Sequence, residues 1–369
     1  MKILMLLSRC DQTGMTTHSL DLAEALVRKG VDLTILIGYR KSESEIADRL
    51  YRRFLNTGAK IVAVKPPERN SRSKLYSAAS FVANTLIRGG LIHVQSPYLS
   101  WIPWLIRRKF VSTFHVNELH PCFYYKNATH LIAISNETRD YAKRQFGYGD
   151  EEITIVNHGV SGRFVQTLSA TDRISRRKEL GLPAGKLLLL LVGSIEPRKG
   201  HDILLQAVSL LPDSLREKVH IVFLGSDKNE DRSNQRWLDY EIEKSGLHDS
   251  VTHFEYQSSE LFYKLCDIFV LPSWLEGFPV VTIEAMLSGN LCIRSDAEGA
   301  REQITDGATG FIFPKGDSRS LSRILEKVIC DDRLRIDISA AGQKYAMKHF
   351  TADVMAENTI AVYRKTIQS

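Results

Sequence analysis

The chain has 369 residues, 43% apolar and 25% charged, which is the composition of a soluble globular protein too long for one core of about 100–200 residues, so two domains are expected. Five cysteines (Cys10, Cys122, Cys266, Cys292, Cys330) are odd in number, far apart and without a Cys-x-x-Cys pair, which speaks against a disulfide framework or a zinc site and fits a reducing cytoplasm. The net charge of +6 is uneven, since residues 1–165 hold 23 Lys+Arg against 14 Asp+Glu, net +9, leaving −3 for the rest; a basic first half suggests contact with something anionic.

From the N-terminus, apolar runs of strand length alternate with helical periodicity: KILMLL, the helix-like SLDLAEALVRKG, DLTILIG, IVAV, LIHVQS, KFVSTFH, HLIAIS and ITIVN. That order predicts a parallel, doubly wound sheet. Ile3 to Leu7 is too short for a signal-peptide core, and no segment approaches 18 uninterrupted apolar residues, so nothing is expected to cross a bilayer. WIPWLIRRKF, Trp101 to Phe110, has the composition of an interfacial anchor against an anionic membrane surface. The stronger reading is an amphipathic helix with Trp101 and Leu105 inward and Arg107, Arg108 and Lys109 in water. No nucleic-acid-binding motif accompanies the charge, so nucleic acid is not an expected partner.

After Gly159 the polar stretch through Ala170 to Arg177 reads as a hinge or linker. A second series follows: KLLLLLVG, the helix HDILLQAVSLL, HIVFLG, VTHFEY, the helix SELFYKLC, DIFVLPS, a helix from Pro279 to Ser288, LCIRS and GFIFP. The expected fold class is α/β, with two Rossmann-like doubly wound domains facing a cleft and ligands at the carboxyl ends of the strands.

Two loops of the second series carry chemistry. In LLLVGSIEPRKGHDILLQAV a strand ends at Gly193, and Arg198 and Lys199 stand just before a helix opening near His201, a composition suited either to a phosphate or to a solvated turn. In LPSWLEGFPVVTIEAMLSG, Gly277, Phe278 and Pro279 set backbone amides at a helix start, where unsatisfied N–H groups favour an anion. Glu284 lies five residues beyond Pro279, about 7.5 Å along the axis, in an otherwise apolar helix. A carboxylate so placed must be paired, protonated or satisfied by a polar ligand. The first loop, CDQTGMTTHS, has one glycine, Gly14, and no dinucleotide fingerprint; Walker, Asp-x-Asp, His-Glu-x-x-His and Gly-x-Ser-x-Gly motifs are absent, so neither a metal-centred nor a serine-hydrolase mechanism is supported.

Taken together, EGFPVVTIE, GSIEPRKG, IVNHGVSGRF and GAREQITDGATGFIFPKGD resemble the retaining, GT-B-fold glycosyltransferases that use nucleotide sugars. The resemblance spans the chain, down to HFTADVMAENTIAVYRK, which looks like that family's C-terminal helix crossing back to the first domain. It implies an acceptor-side domain at 1–163 with the crossover helix at 350–369, and a nucleotide-sugar domain at 164–349. By the same resemblance Arg198 and Lys199 hold the donor diphosphate, and Glu284 holds the ribose. Glu276 binds sugar hydroxyls, His115 contacts the sugar near the reacting carbon, and Gly14 is the close-approach glycine of the first loop. Gly193, Gly277, Phe278 and Pro279 count with the donor site, and Tyr256 either covers the base or packs at the edge of the core. Three segments depart from the family pattern: the first loop lacks paired glycines, Gly299-Ala300-Arg301-Glu302 replaces Gly-Ile-Pro-Glu, and His158-Gly159-Val160-Ser161 replaces Asn-Gly-Val-Asp.

The function so implied is transfer, with retention and without a metal or other cofactor, from a UDP- or GDP-linked sugar to a hydroxyl acceptor. A lipid-linked or polysaccharide intermediate of cell-surface glycan synthesis is the expected acceptor. The protein is expected in the cytoplasm, peripheral at the inner face of the membrane. A sugar-nucleotide epimerase of the same fold and a non-catalytic partner subunit are the alternatives.

Overall fold

The computed structural model of the protein describes residues 1–11, 13–41, 45–65, 71–116 and 119–369. The chain divides into two compact units, Met1–Ser161 with Phe350–Ser369, and Gly162–His349. The division thus falls two residues ahead of the boundary expected at 163.

The first unit holds a parallel sheet of β1 (Lys2–Leu7), β2 (Asp32–Gly38), β3 (Lys60–Val64), β4 (Leu91–Val94), β5 (Phe110–Phe114), β6 (His130–Ala133) and β7 (Ile153–Ile155), in the order β3-β2-β1-β4-β5-β6-β7. Its central strands are unbroken apolar runs because helices cover both faces of a parallel sheet; all of Ile3 to Leu7 is buried. The last helix, Ala352–Gln368, belongs to this unit, as expected. Met355, Ala356, Val362 and Tyr363 join the core of Ile3, Met5 and Leu20. Thr351 caps its first turn, and Arg28–Asp353 and Lys29–Glu357 pair on its exposed edge at 2.8 and 2.6 Å.

WIPWLIRRKF departs from the amphipathic-helix expectation. The helix Trp101–Leu105 buries Ile102, not Leu105, which is 55% exposed beside Trp104 at 54%. Arg108 is only half in solvent: its guanidinium donates to the carbonyls of Thr85 and Arg88 at 3.1 and 2.8 Å, at the end of the helix Ser71–Leu86, where carbonyls lack helical partners.

The second unit holds β8 (Leu187–Val192), β9 (Val219–Leu224), β10 (Val251–Phe254), β11 (Ile268–Leu271), β12 (Leu291–Ser295) and β13 (Phe311–Phe313), ordered β10-β9-β8-β11-β12-β13. The stretch expected to be a linker is instead the helix Ala170–Glu179, capped by Ser169. Arg173 and Arg177, one turn apart, both bind Asp267 at 2.8 Å and donate to carbonyls of 264–266. A helix with almost no apolar face is therefore anchored by buried guanidinium bonds, a signal that hydrophobic periodicity does not carry.

Candidate functional site

In the second unit the strand order reverses between β8 and β11. Connections from adjacent strands there leave on opposite faces, which opens a crevice at their carboxyl ends. The loop after β8 carries Arg198 and Lys199; the loop after β11 carries Glu276 to Pro279.

Gly200 locks the first loop against the second. Its φ is +73°, and a Cβ there would stand 2.2 Å from the carbonyl oxygen of Pro272, so a side chain is excluded by both strain and contact. The N–H of Trp274 donates to the carbonyl of Arg198 at 2.8 Å. Held this way, Lys199 Nζ lies 2.7 Å from Glu276 Oε1, with side chains only 13% and 9% exposed. Arg198 points outward, 46% exposed, and pairs with Glu196 at 3.0 Å. Burial works against ionisation of Glu196, yet the hydrogen bond from Ser194 and the charge of Arg198 outweigh it and hold the carboxyl below its ordinary range. Gly193 lies under the aliphatic part of Lys199, at ordinary contact distance.

The turn Gly277–Pro279 is braced from β12. Arg294, fully buried, donates to the carbonyls of Ala297 and Glu298 at 3.1 and 2.9 Å and to Gln303 Oε1; Gln303 Nε2 in turn donates to the carbonyl of Pro279 at 2.9 Å. Phe278 is buried. The helix is Val280–Leu287 with Pro279 as its N-cap, one residue later than the sequence suggested. Glu284 is buried, and Tyr263 donates its hydroxyl to Oε2 at 2.9 Å. Burial first, and the neighbouring carboxylate second, push the Tyr263 phenol far above its ordinary range, so it remains a donor.

Other expected residues lie elsewhere. Tyr256 follows β10, is 47% exposed and so is not core packing. Arg301 is exposed. In the first unit Gly14 opens the helix Gly14–Arg28, and a Cβ there would meet no protein atom within 4 Å, so the protein itself does not demand glycine at that position. His115 follows β5; its Nε2 is 2.9 Å from Gln95 Oε1 and its Nδ1 3.3 Å from His158 Nε2.

The sequence reading did not single out Tyr263, Arg294, Gln303 or His18, and noted His158 only as a departure from the family pattern. Arg294 left one trace, a cation inside the buried strand LCIRS. Tyr263 left none, since any core helix contains such a residue.

Two parallel Rossmann-type sheets define the GT-B class of fold. Residues 172–345, in the second unit, match the family described as "Glycosyl transferases group 1", and residues 12–161, in the first, match "Glycosyltransferase Family 4", which together indicate a glycosyltransferase family of the group 1 type. A D-inositol 3-phosphate glycosyltransferase of Stackebrandtia nassauensis is 27% identical over 225 residues, covering 59% of this chain and 50% of that protein. The chain thus spans about half the length of the first curated relatives it matches. An uncharacterized glycosyltransferase of Methanocaldococcus jannaschii is 23% identical over 95% of this chain and 94% of its own length. Among solved structures, Anabaena HepE in complex with UDP shares the fold with a TM-score of 0.83 at 19% identity, covering 99% of this chain and 100% of its own. Sucrose-phosphate synthase of Thermosynechococcus elongatus gives a TM-score of 0.80 at 19% identity over 100% of both chains.

Proposed function

We propose that the protein transfers a sugar, with retention at the anomeric carbon, from a nucleotide diphosphate sugar to a hydroxyl acceptor. The observation that carries this reading is the pairing of Lys199 with Glu276 at 2.7 Å beside the amides that open the Glu284 helix. Cations and amides fixed before reaction stabilise growing charge on a leaving diphosphate without rearranging. In this reading Lys199 bridges the phosphate and Glu276, and Arg198 supplies a second cation. Glu276 orients sugar hydroxyls, while Glu284, held by Tyr263, accepts both hydroxyls of the ribose. Tyr256 covers the base. His115 contacts the sugar near the reacting carbon, and no metal enters the step.

HepE has been solved with UDP-glucose, which favours UDP as the first donor to try here. Trp104 and Phe123 are exposed around Lys126, whose Nζ lies 4.6 and 5.2 Å from their ring centroids. Aromatics around a cation suit the headgroup region of an anionic membrane and hence a lipid-linked acceptor. Among the described residues no helix is long and apolar enough to cross a membrane.

The decisive experiment measures melting temperature over a panel of nucleotide sugars, followed by NMR of the product anomer. A donor that raises the melting temperature and yields a product of the donor's own anomeric configuration supports the reading. An inverted product, or an altered donor sugar formed without any acceptor, overturns it.

A further inference from the structure

Three imidazoles converge in the first unit from separate places in the chain. His18 lies on the helix after β1, His115 just past β5 and His158 just past β7. One ring nitrogen from each lies within 4.8 Å of the others. The ring centroids stand 4.8 Å (His18 to His115), 4.5 Å (His18 to His158) and 5.5 Å (His115 to His158) apart.

The ring centres stand close to the spacing a tetrahedral ion imposes, and the nitrogens, now up to 4.8 Å apart, would draw together around it. With metal–nitrogen bonds of about 2.0–2.1 Å, ligand nitrogens sit about 3.4 Å apart and imidazole centres about 5 Å apart. One pair already stands at that distance, His115 Nδ1 and His158 Nε2 at 3.3 Å, a hydrogen bond whose shared proton the ion would replace.

Two further observations point to an occupant. His18 is 4% exposed, and neither of its ring nitrogens has a hydrogen-bond partner; a buried polar group left that way is costly unless something satisfies it. His115 is oriented as a ligand is: Gln95 Oε1 accepts from its Nε2 at 2.9 Å, which puts the proton on Nε2 and leaves the Nδ1 lone pair facing the cluster. Fixing a tautomer through the far nitrogen is the usual support of a metal-bound histidine. Burial, and then the neighbouring imidazoles, push His18 and His115 well below the ordinary histidine range, so both keep the neutral form that binds metals.

We propose that His18, His115 and His158 form a site for one divalent cation of the zinc class, closed on the His18 and His158 sides and reached past half-buried His115. Among the described residues the donors are three nitrogens without a carboxylate, a set that selects Zn²⁺, Co²⁺, Ni²⁺ or Cu²⁺ over Mg²⁺ and Ca²⁺. Water takes the fourth position. Occupancy withdraws His115 from the donor sugar, so the ion inhibits transfer; this consequence rests on the function proposed above.

The test titrates Co²⁺ into the full-length, tag-free, chelator-stripped protein. One equivalent is expected to bring up the visible ligand-field bands of a four-coordinate site, which Zn²⁺ then removes. His18→Ala and, as a milder change, His158→Asn are expected to lose those bands while keeping the wild-type circular dichroism. No stoichiometric band in the wild type, or an unchanged band in His18→Ala, overturns the site. Zn²⁺ at one equivalent is expected to lower transfer at least about tenfold, and His18→Ala to relieve it. Binding with undiminished transfer leaves the site standing and overturns the role given to His115.

Discussion

The two units are built on one plan and carry different chemistry. Each reverses its strand order between its first and fourth strands, β1 beside β4 and β8 beside β11. Each also brings its first two strand ends into the same backbone contact: a Cβ on Gly38 would stand 1.8 Å from the Ser8 carbonyl oxygen, and one on Gly225 would stand 1.7 Å from that of Gly193. The loops beyond differ. The second unit brings together Lys199, Glu276 and Glu284, opposite charges and a carboxylate under a tyrosine hydroxyl. The first brings together three imidazoles and an amide. A buried parallel sheet fixes where the strand ends lie, and what they do is left to residues that contribute little to its stability.

The sharpest break of that division comes at Lys199. Lys199→Met is expected to lower kcat about 10²–10³-fold at saturating donor. It also leaves Glu276 buried without its cation, so the melting temperature falls. Lys199→Met/Glu276→Gln should recover melting temperature without rate; recovery of rate would show that Lys199 serves only the fold.

Next comes the independence of the two cores. Arg177 is 4% exposed and serves Asp267 and the Leu265 carbonyl, so Arg177→Ala should cost the second unit about 2–3 kcal/mol. Hydrogen exchange is expected to speed up over 162–349 and to stay unchanged over the strands of 1–161. Loss of protection in both would mean that the units unfold as one.

A smaller effect is expected at Tyr263. Tyr263→Phe removes one donor from Glu284 and should weaken donor binding about tenfold, the equivalent of about 1.4 kcal/mol, with kcat changed less than about threefold. Isothermal titration with the donor and steady-state kinetics separate the two. The smallest change is Gly14→Ala, where open space keeps stability within about 0.5 kcal/mol; a fall in transfer without a fall in melting temperature would then mark a ligand close to that residue.

Much of the scaffold was legible. The apolar runs from KILMLL to GFIFP are the observed strands, and the final helix joins the first core. The stretch 170–177 was misread because its helix is held by Arg173 and Arg177 reaching carbonyls of 264–266, which no local pattern announces. In the second unit, Lys199 and Glu276 come from two separate loops whose motifs could be compared, and the structure brings them together. Tyr263, Arg294 and Gln303 support the site from other elements and have no spacing to betray them. The histidine trio was invisible for the same reason, its members standing 97 and 43 residues apart in sequence.

The amino-acid order alone determined two parallel sheets, the strand ends where loops emerge, and a buried acid in an apolar helix, since hydrophobic periodicity acts over neighbours of a few residues and can be read one segment at a time. Only the tertiary structure decided who meets whom: Lys199 with Glu276, Tyr263 with Glu284, and the rings of His18, His115 and His158 with one another. Such meetings depend on the packing of whole strands and helices, and the distance along the chain between the partners does not enter that energy.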